Sequence, residues 1–164
     1  MIAILHADKE WGIGKKNDLM FSLPKDMKFF RETTSGKVVC MGYNTLLSLP
    51  NSKPLKNRIN VVLCEKGIEV DGCVCVHSID ELLAEAKKYP EDEFFIIGGA
   101  SVYRAMLPYC KKVMLTKVDA IGGAEVFFPN LDEHPDFELV SATEWEEDNG
   151  YQISFTTYKN IRLK

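Results

Sequence analysis

The chain has 164 residues, 46% hydrophobic and 27% charged, with a formal net charge of −4 at pH 7; this length and balance fit one domain around one substantial core. The acidic balance argues against nucleic-acid and acidic-membrane partners, and no apolar run approaches the roughly 20 residues that span a bilayer. The five cysteines (Cys40, Cys64, Cys73, Cys75 and Cys110) lack framework or zinc-motif spacing, and the first residues lack the order of a signal peptide, so free thiols in a cytoplasmic protein are expected.

Met1 to Ala7 reads as a strand covered on both faces, because Ile2, Ala3, Ile4 and Leu5 show no polar alternation. His6 at its end reads as a satisfied strand-end ring turned to the far face, or else as a site-lining group. A polar loop follows, and Pro24 then starts a helix over residues 24–34, since proline lacks only an N–H that would be unpaired there. On a 3.6-residue period Asp26 shares a face with Phe29 and Phe30, while Lys25, Lys28 and Glu32 face water. Burying an unpaired carboxylate is costly, so Asp26 is either a rim acid favouring the helix N-terminus or a functional group.

Lys37 to Gly42 reads as a second buried strand, and Tyr43 to Leu49 as a short helix stopped by Pro50. Residues 51–57 are loop by composition. Arg58 to Cys64 and Cys73 to Val76 are strands. Ser78-Ile79-Asp80-Glu81 is a capping box, each side chain able to bond the other's backbone N–H, and its helix ends near Tyr89-Pro90. Glu93 to Ile97 is a central strand running into Gly98-Gly99-Ala100-Ser101 and a helix through Val102, Tyr103 and Met106. Lys112 to Val118 is another strand. Phe137 to Trp145 and Tyr151 to Lys159 flank Asp148-Asn149-Gly150, a strong hairpin signal. Strands alternating with helices before a final hairpin predict an α/β fold. It is a single domain over residues 1–164, with a central mostly parallel sheet flanked by helices and a C-terminal antiparallel hairpin at the edge.

In such a sheet, ligands bind beyond the carboxyl ends of strands. Three ends carry suitable loops: Ile4-Leu5-His6, Met41-Gly42-Tyr43-Asn44-Thr45 and Ile97-Gly98-Gly99-Ala100-Ser101. The last two lead into helices, whose first N–H groups suit a phosphate, and Gly98-Gly99 allows close approach to the backbone. No G-x-S-x-G elbow, Ser-His-Asp grouping or P-loop is present, and three histidines without acidic or thiol clusters give no metal site.

Several motifs occur together and in order: Trp11-Gly12-Ile13-Gly14 with Asn17, Leu23-Pro24-x-Asp26-Met27-x-x-Phe30, Met41-Gly42-x-x-Thr45, and Pro54-Leu55-x-x-Arg58. They continue with Ile97-Gly98-Gly99-x-x-x-Tyr103, Leu115-Thr116 and Phe127-Phe128-Pro129. In these the chain resembles the dihydrofolate reductases of the chromosomal bacterial type, over essentially its whole length. The resemblance implies hydride transfer from NADPH to dihydrofolate, giving tetrahydrofolate for one-carbon metabolism, in a protein that antifolates also bind; a monomer is expected because nothing in the sequence suggests a large exposed apolar face. Asp26 matches the family's single carboxylate that holds the pterin and assists N5 protonation. Thr116 matches its hydrogen-bonding companion.

The resemblance further implies that Ile4, Leu5, Met27, Phe30, Arg31, Leu49, Leu55, Arg58 and Ile97 contact the substrate. The carbonyls of Ile4 and Ile97 would face the pterin edge, and Arg58 would hold the glutamate α-carboxylate with paired geometry. Cofactor contacts would come from His6, Ile13, Gly14, Asp18, Gly42, Tyr43, Asn44, Thr45, Leu63, Cys64, Glu65, Lys66, His77, Gly98, Gly99, Ala100, Ser101, Val102 and Tyr103. The loop from Gly14 to Met20 matches the family's flap, with Phe21 where a tryptophan is common. Departures gather at the cofactor phosphates: Tyr43 and Asn44 are neutral where a basic residue is usual, Glu65 stands where serine, threonine or arginine meets the 2′-phosphate, and Ser101 replaces a frequent arginine. Lys66 and His77 are the remaining cation candidates. An acid near the ribose favours a 2′-hydroxyl, so a weakened preference for NADPH, with usable NADH, is expected. Two functions compete with reduction of dihydrofolate: binding of folate or nucleotide by a paralogue with little turnover, and reduction of a pyrimidine in riboflavin synthesis.

Overall fold

A computed structural model describes residues 1–16 and 18–164; Asn17, part of the first motif above, lies outside the described residues. The strands are β1 (Ile2–Ala7), β2 (Gly12–Gly14), β3 (Val38–Gly42), β4 (Ile59–Leu63), β5 (Cys73–Val76), β6 (Phe94–Gly98), β7 (Lys112–Val118), β8 (Val126–Phe127), β9 (Phe137–Ala142), β10 (Glu146–Asp148) and β11 (Tyr151–Asn160). The α-helices are α1 (Pro24–Thr34), α2 (Tyr43–Ser48), α3 (Ile79–Ala86) and α4 (Ala100–Met106). The main sheet runs β10-β11-β7-β1-β6-β3-β4-β5, with β9 also on β11. From β7 to β5 every pairing is parallel, and β11 is antiparallel to β7, β9 and β10.

Strand alternation sorts the core into two layers. Ala3, Ala7, Val38, Cys40, Val61, Ile96 and Val113 face Leu82 of α3 and Val102 and Met106 of α4. Ile2, Ile4 and Phe95 instead meet Phe29 and Phe30 of α1, and Val39, Met41 and Val62 meet Leu46 of α2. Burial on both sides explains why β1, β3 and β6 read as unbroken apolar runs rather than as alternating strands.

Helix α1 begins where its proline predicts, but Leu23 gives it no side-chain cap. The cap comes from far along the chain: Asp148, at the hairpin turn, accepts the backbone N–H groups of Lys25 and Asp26 at 3.1 Å each. An anion at a helix N-terminus satisfies unpaired donors and favours the macrodipole. Lys25 Nζ donates to the Glu147 carbonyl at 2.6 Å, tying the same two elements again.

Four local expectations change. The first arm of the hairpin is two strands, β9 and β10, which both pair with β11. The capping box is half formed: the Ser78 hydroxyl accepts from Glu81 N at 3.1 Å, but Glu81 Oε2 accepts from His77 N, one residue further back. Residues 50–52 form a 3-10 turn instead of open loop. Finally, β2 and β8 pair as a separate small ribbon, too short for any periodicity to announce.

Candidate active site

A cleft of about 1890 Å³ opens at the carboxyl ends of β1, β3 and β6. Its size exceeds the roughly 300–1,000 Å³ usual for one small molecule, so two ligands fit side by side. Asp26 is set in this cleft by the first turn of α1, and its two carboxylate oxygens have different partners. Oδ1 accepts from the Thr116 hydroxyl at 2.7 Å, and Oδ2 lies 3.2 Å from His6 Nδ1. His6 and Thr116 are register partners on the adjacent parallel strands β1 and β7. Two neighbouring strands thus reach up to one acid on the helix above them.

His6 turns inward, which decides between its two readings in favour of the site-lining one. The signal is present in the sequence: His6 has the parity of Ile2 and Ile4, the residues that meet α1. Leu5, of opposite parity, packs its side chain against the core under α3 and α4. Met27, next to Asp26 in sequence, is 56% exposed and does not close it in. Phe21 is buried, at 6.1 Å from the His6 ring and edge-on to Tyr151 at 4.8 Å. The Ile4 carbonyl accepts from the Tyr103 hydroxyl at 2.8 Å. Burial is the main cause that raises the Tyr103 pKa above its ordinary value, followed by Cys110 and Asp26, so the phenol keeps its proton as a donor.

Of the residues read from the sequence, Ile4, Leu5, His6, Asp26, Met27, Phe30, Arg31, Leu49, Leu55, Arg58 and Ile97 line the cleft. So do Ile13, Gly14, Asp18, Gly42, Tyr43, Asn44, Thr45, Leu63, Cys64, Glu65, His77, Gly98, Gly99, Ala100, Ser101, Val102 and Tyr103. Two do not. Thr116 is buried and acts through Asp26, and Lys66 is exposed and outside the lining. Arg104, which the sequence reading missed, does line it. It stands one helical turn after Ser101, on a helix whose start already reads as ligand-facing.

Arg58 is held by its Nε donating to the Lys56 carbonyl at 2.9 Å and Nη1 donating to Thr34 Oγ1 at 3.1 Å, with its guanidinium 5.9 Å from the Phe30 ring. Its pKa is lowered, first by burial and then by the Arg31 charge. No acid pairs with it among the described residues, and two guanidiniums near the cleft suit a carboxylate ligand. The far wall is backbone. Gly98 has φ 140°, and a Cβ added at Gly98 or Gly99 would sit 3.1 or 3.3 Å from Thr45 Oγ1. Neither α2 nor α4 has a side-chain cap at its start. Asn44, Glu65 and Ser101 are exposed, and His77 Nδ1 lies 3.0 Å from the Cys64 carbonyl.

Among the described residues no group of acidic, thiol or imidazole side chains is arranged to hold a metal, and no helix is long and apolar enough to cross a membrane. A sequence model described as dihydrofolate reductase matches residues 1–160. The dihydrofolate reductase of Bacillus subtilis is 36% identical over 97% of this chain and 94% of its own length. That of Enterococcus faecium is 34% identical over 98% and 96%. The structure also superposes, with a TM-score of 0.86 and 31% identity, on dihydrofolate reductase from Enterococcus faecalis complexed with NADP(H) and RAB-propyl; the match covers 97% of this chain and 95% of that one.

Proposed function

We propose that this chain, which belongs to the dihydrofolate reductase family, reduces 7,8-dihydrofolate to 5,6,7,8-tetrahydrofolate with NADPH as reductant. The observation that carries this reading is Asp26, an acid paired with Thr116 in a cleft wide enough for a substrate and a dinucleotide together. The reduced nicotinamide, when bound, supplies the hydride that goes to C6 of the pterin. The residues present fit such a group: the bare Gly98-Gly99 backbone beside Thr45 is a cradle that side chains would fill, and uncapped helix starts offer N–H groups to phosphate.

The chain's own contributions are binding, orientation and promotion of one protonation, in which the proton reaches N5 from water and not from the ionised Asp26 itself. Asp26 holds the N3 and 2-amino N–H groups of the pterin, since each carboxylate oxygen keeps a lone pair beyond those used by Thr116 and His6. Held there, it assists protonation of N5 as C6 receives the hydride. Phe30, Leu49 and Leu55 supply apolar walls that exclude water, which strengthens the electrostatics inside. Arg58 anchors the substrate's α-carboxylate at the distant end, and fixing both ends gives the alignment that hydride transfer needs. Gly14, Lys15, Lys16, Asp18 and Leu19 line the cleft beside Glu125, whose Oε1 accepts from Lys16 N at 2.6 Å.

This reading is preferred to a riboflavin-pathway reductase or a non-catalytic paralogue because the family match and the curated relatives are dihydrofolate reductases. A cytoplasmic monomer comprising one domain over residues 1–164 is the form proposed. Dihydrofolate-dependent loss of the near-ultraviolet absorbance of NADPH tests the proposal; binding of both ligands without that loss overturns it.

A further inference from the structure

We infer that His6 is a positioning residue for Asp26, an inference that rests on the reading of Asp26 as the acid that holds the substrate ring. Nδ1 of His6 lies 3.2 Å from Asp26 Oδ2, and the histidine side chain is only 6% exposed. Nε2 of the same ring is buried and has no hydrogen-bond partner among the described residues. That asymmetry identifies the proton's place. A proton on Nε2 would leave a buried donor without an acceptor, and a charged ring would bury an unpaired N–H as well as charge. The arrangement of least cost is the neutral tautomer with Nδ1–H donating to the carboxylate.

Thr116 donates to the other oxygen at 2.7 Å, and β1 and β7 place these two donors side by side. Asp148 fixes the backbone of the same acid through the Asp26 N–H. With one protein donor on each oxygen, the carboxylate cannot rotate without losing a hydrogen bond. The lone pairs that remain, one on each oxygen, match two parallel N–H groups on a heterocycle. The Phe21 ring lies 6.1 Å from the imidazole, centroid to centroid, at a tilt of 52°. A small residue at position 6 would leave Oδ2 to water and the carboxylate freer to turn, so this chain's carboxylate is more tightly preset for an amino-heterocycle.

The test is the dissociation constant of 2,4-diaminopyrimidine and of its analogue without the 2-amino group, for the parent, His6→Ala and His6→Asn. His6→Ala is expected to weaken the diamino ligand about tenfold, the size of one charge-assisted hydrogen bond, and to weaken the analogue far less. His6→Asn, whose amide nitrogen reaches the position of Nδ1, restores binding of the diamino ligand. Equal losses for both pyrimidines, or His6→Asn as weak as His6→Ala, overturns the role. A parent that does not bind the diamino ligand overturns the reading of Asp26 together with this inference; tight parental binding without the coupling overturns this inference alone.

Discussion

The acid end of the cleft and its phosphate end are built on opposite plans. Around Asp26, the carboxylate is partnered within the protein: Thr116, His6 and the Asp148 cap fix it before any ligand arrives. Around Asn44, Glu65 and Ser101, the side chains are exposed and meet solvent. Buried polar atoms have to be paired when the chain folds, so their geometry is written into strands and helix caps. Exposed ones leave selection to the ligand, and their identities drift at lower cost. On the proposed function, substitutions at the acid end cost both stability and activity, and the end proposed to hold the cofactor phosphates is where cofactor choice would be tuned.

Several substitutions sharpen or break that contrast. The largest effect away from the acid is expected at Arg58. Removing it as Arg58→Ala should weaken dihydrofolate by about tenfold to a hundredfold, the range for losing a charge-assisted, paired contact. A substrate without the glutamate should bind as before, and steady-state KM values for the two separate the cases. At the acid end, Asp148→Ala removes the side chain that caps α1 and should cost about 1–2 kcal/mol in urea unfolding. If the midpoint does not move, the cap does not anchor the helix. At the phosphate end, Glu65→Arg should leave stability unchanged within roughly 0.5 kcal/mol, as surface changes do. It should also raise the NADPH-to-NADH ratio of kcat/KM by about tenfold through a new phosphate contact.

The last effect is one of pH dependence, confined to alkaline solution. Burial pushes the Cys110 thiol from 9.0 up to about 12, against a lesser opposing pull from the amino terminus. The folded protein then holds this proton more tightly than the unfolded chain does. The resulting stability is complete below pH 9 and is lost as pH rises towards 12. Urea midpoints should accordingly be level up to about pH 9 from this source and decline above it. A Cys110→Ala variant should show a shallower decline.

What the sequence made legible follows from how local each signal is. The runs in β1, β3, β6 and β7, and the proline at the start of α1, depend on neighbours within a few residues, and their bounds in the structure are nearly those expected. Asp26 and its Thr116 companion are reached through motif resemblance. The Asp148 cap is invisible in the sequence because it joins residues 122 apart in the chain. His6 is left with two readings although its parity with Ile4 puts it on the α1 side, because parity has to be followed to the strand's last residues. Arg104 is missed when only the first residues of α4 are read as ligand-facing. Lys66 fails the other way: near Glu65 in sequence, it is not part of the cleft wall.

The central claim is that Asp26 is the acid on which both ring binding and protonation turn. Its most direct test is kcat/KM for dihydrofolate with saturating NADPH at neutral pH, in the parent and in Asp26→Asn. The amide keeps the size of the side chain but cannot hold two N–H donors or assist with a proton, so a fall of about a hundredfold or more is predicted. Unchanged kcat/KM in a folded Asp26→Asn protein would contradict the account.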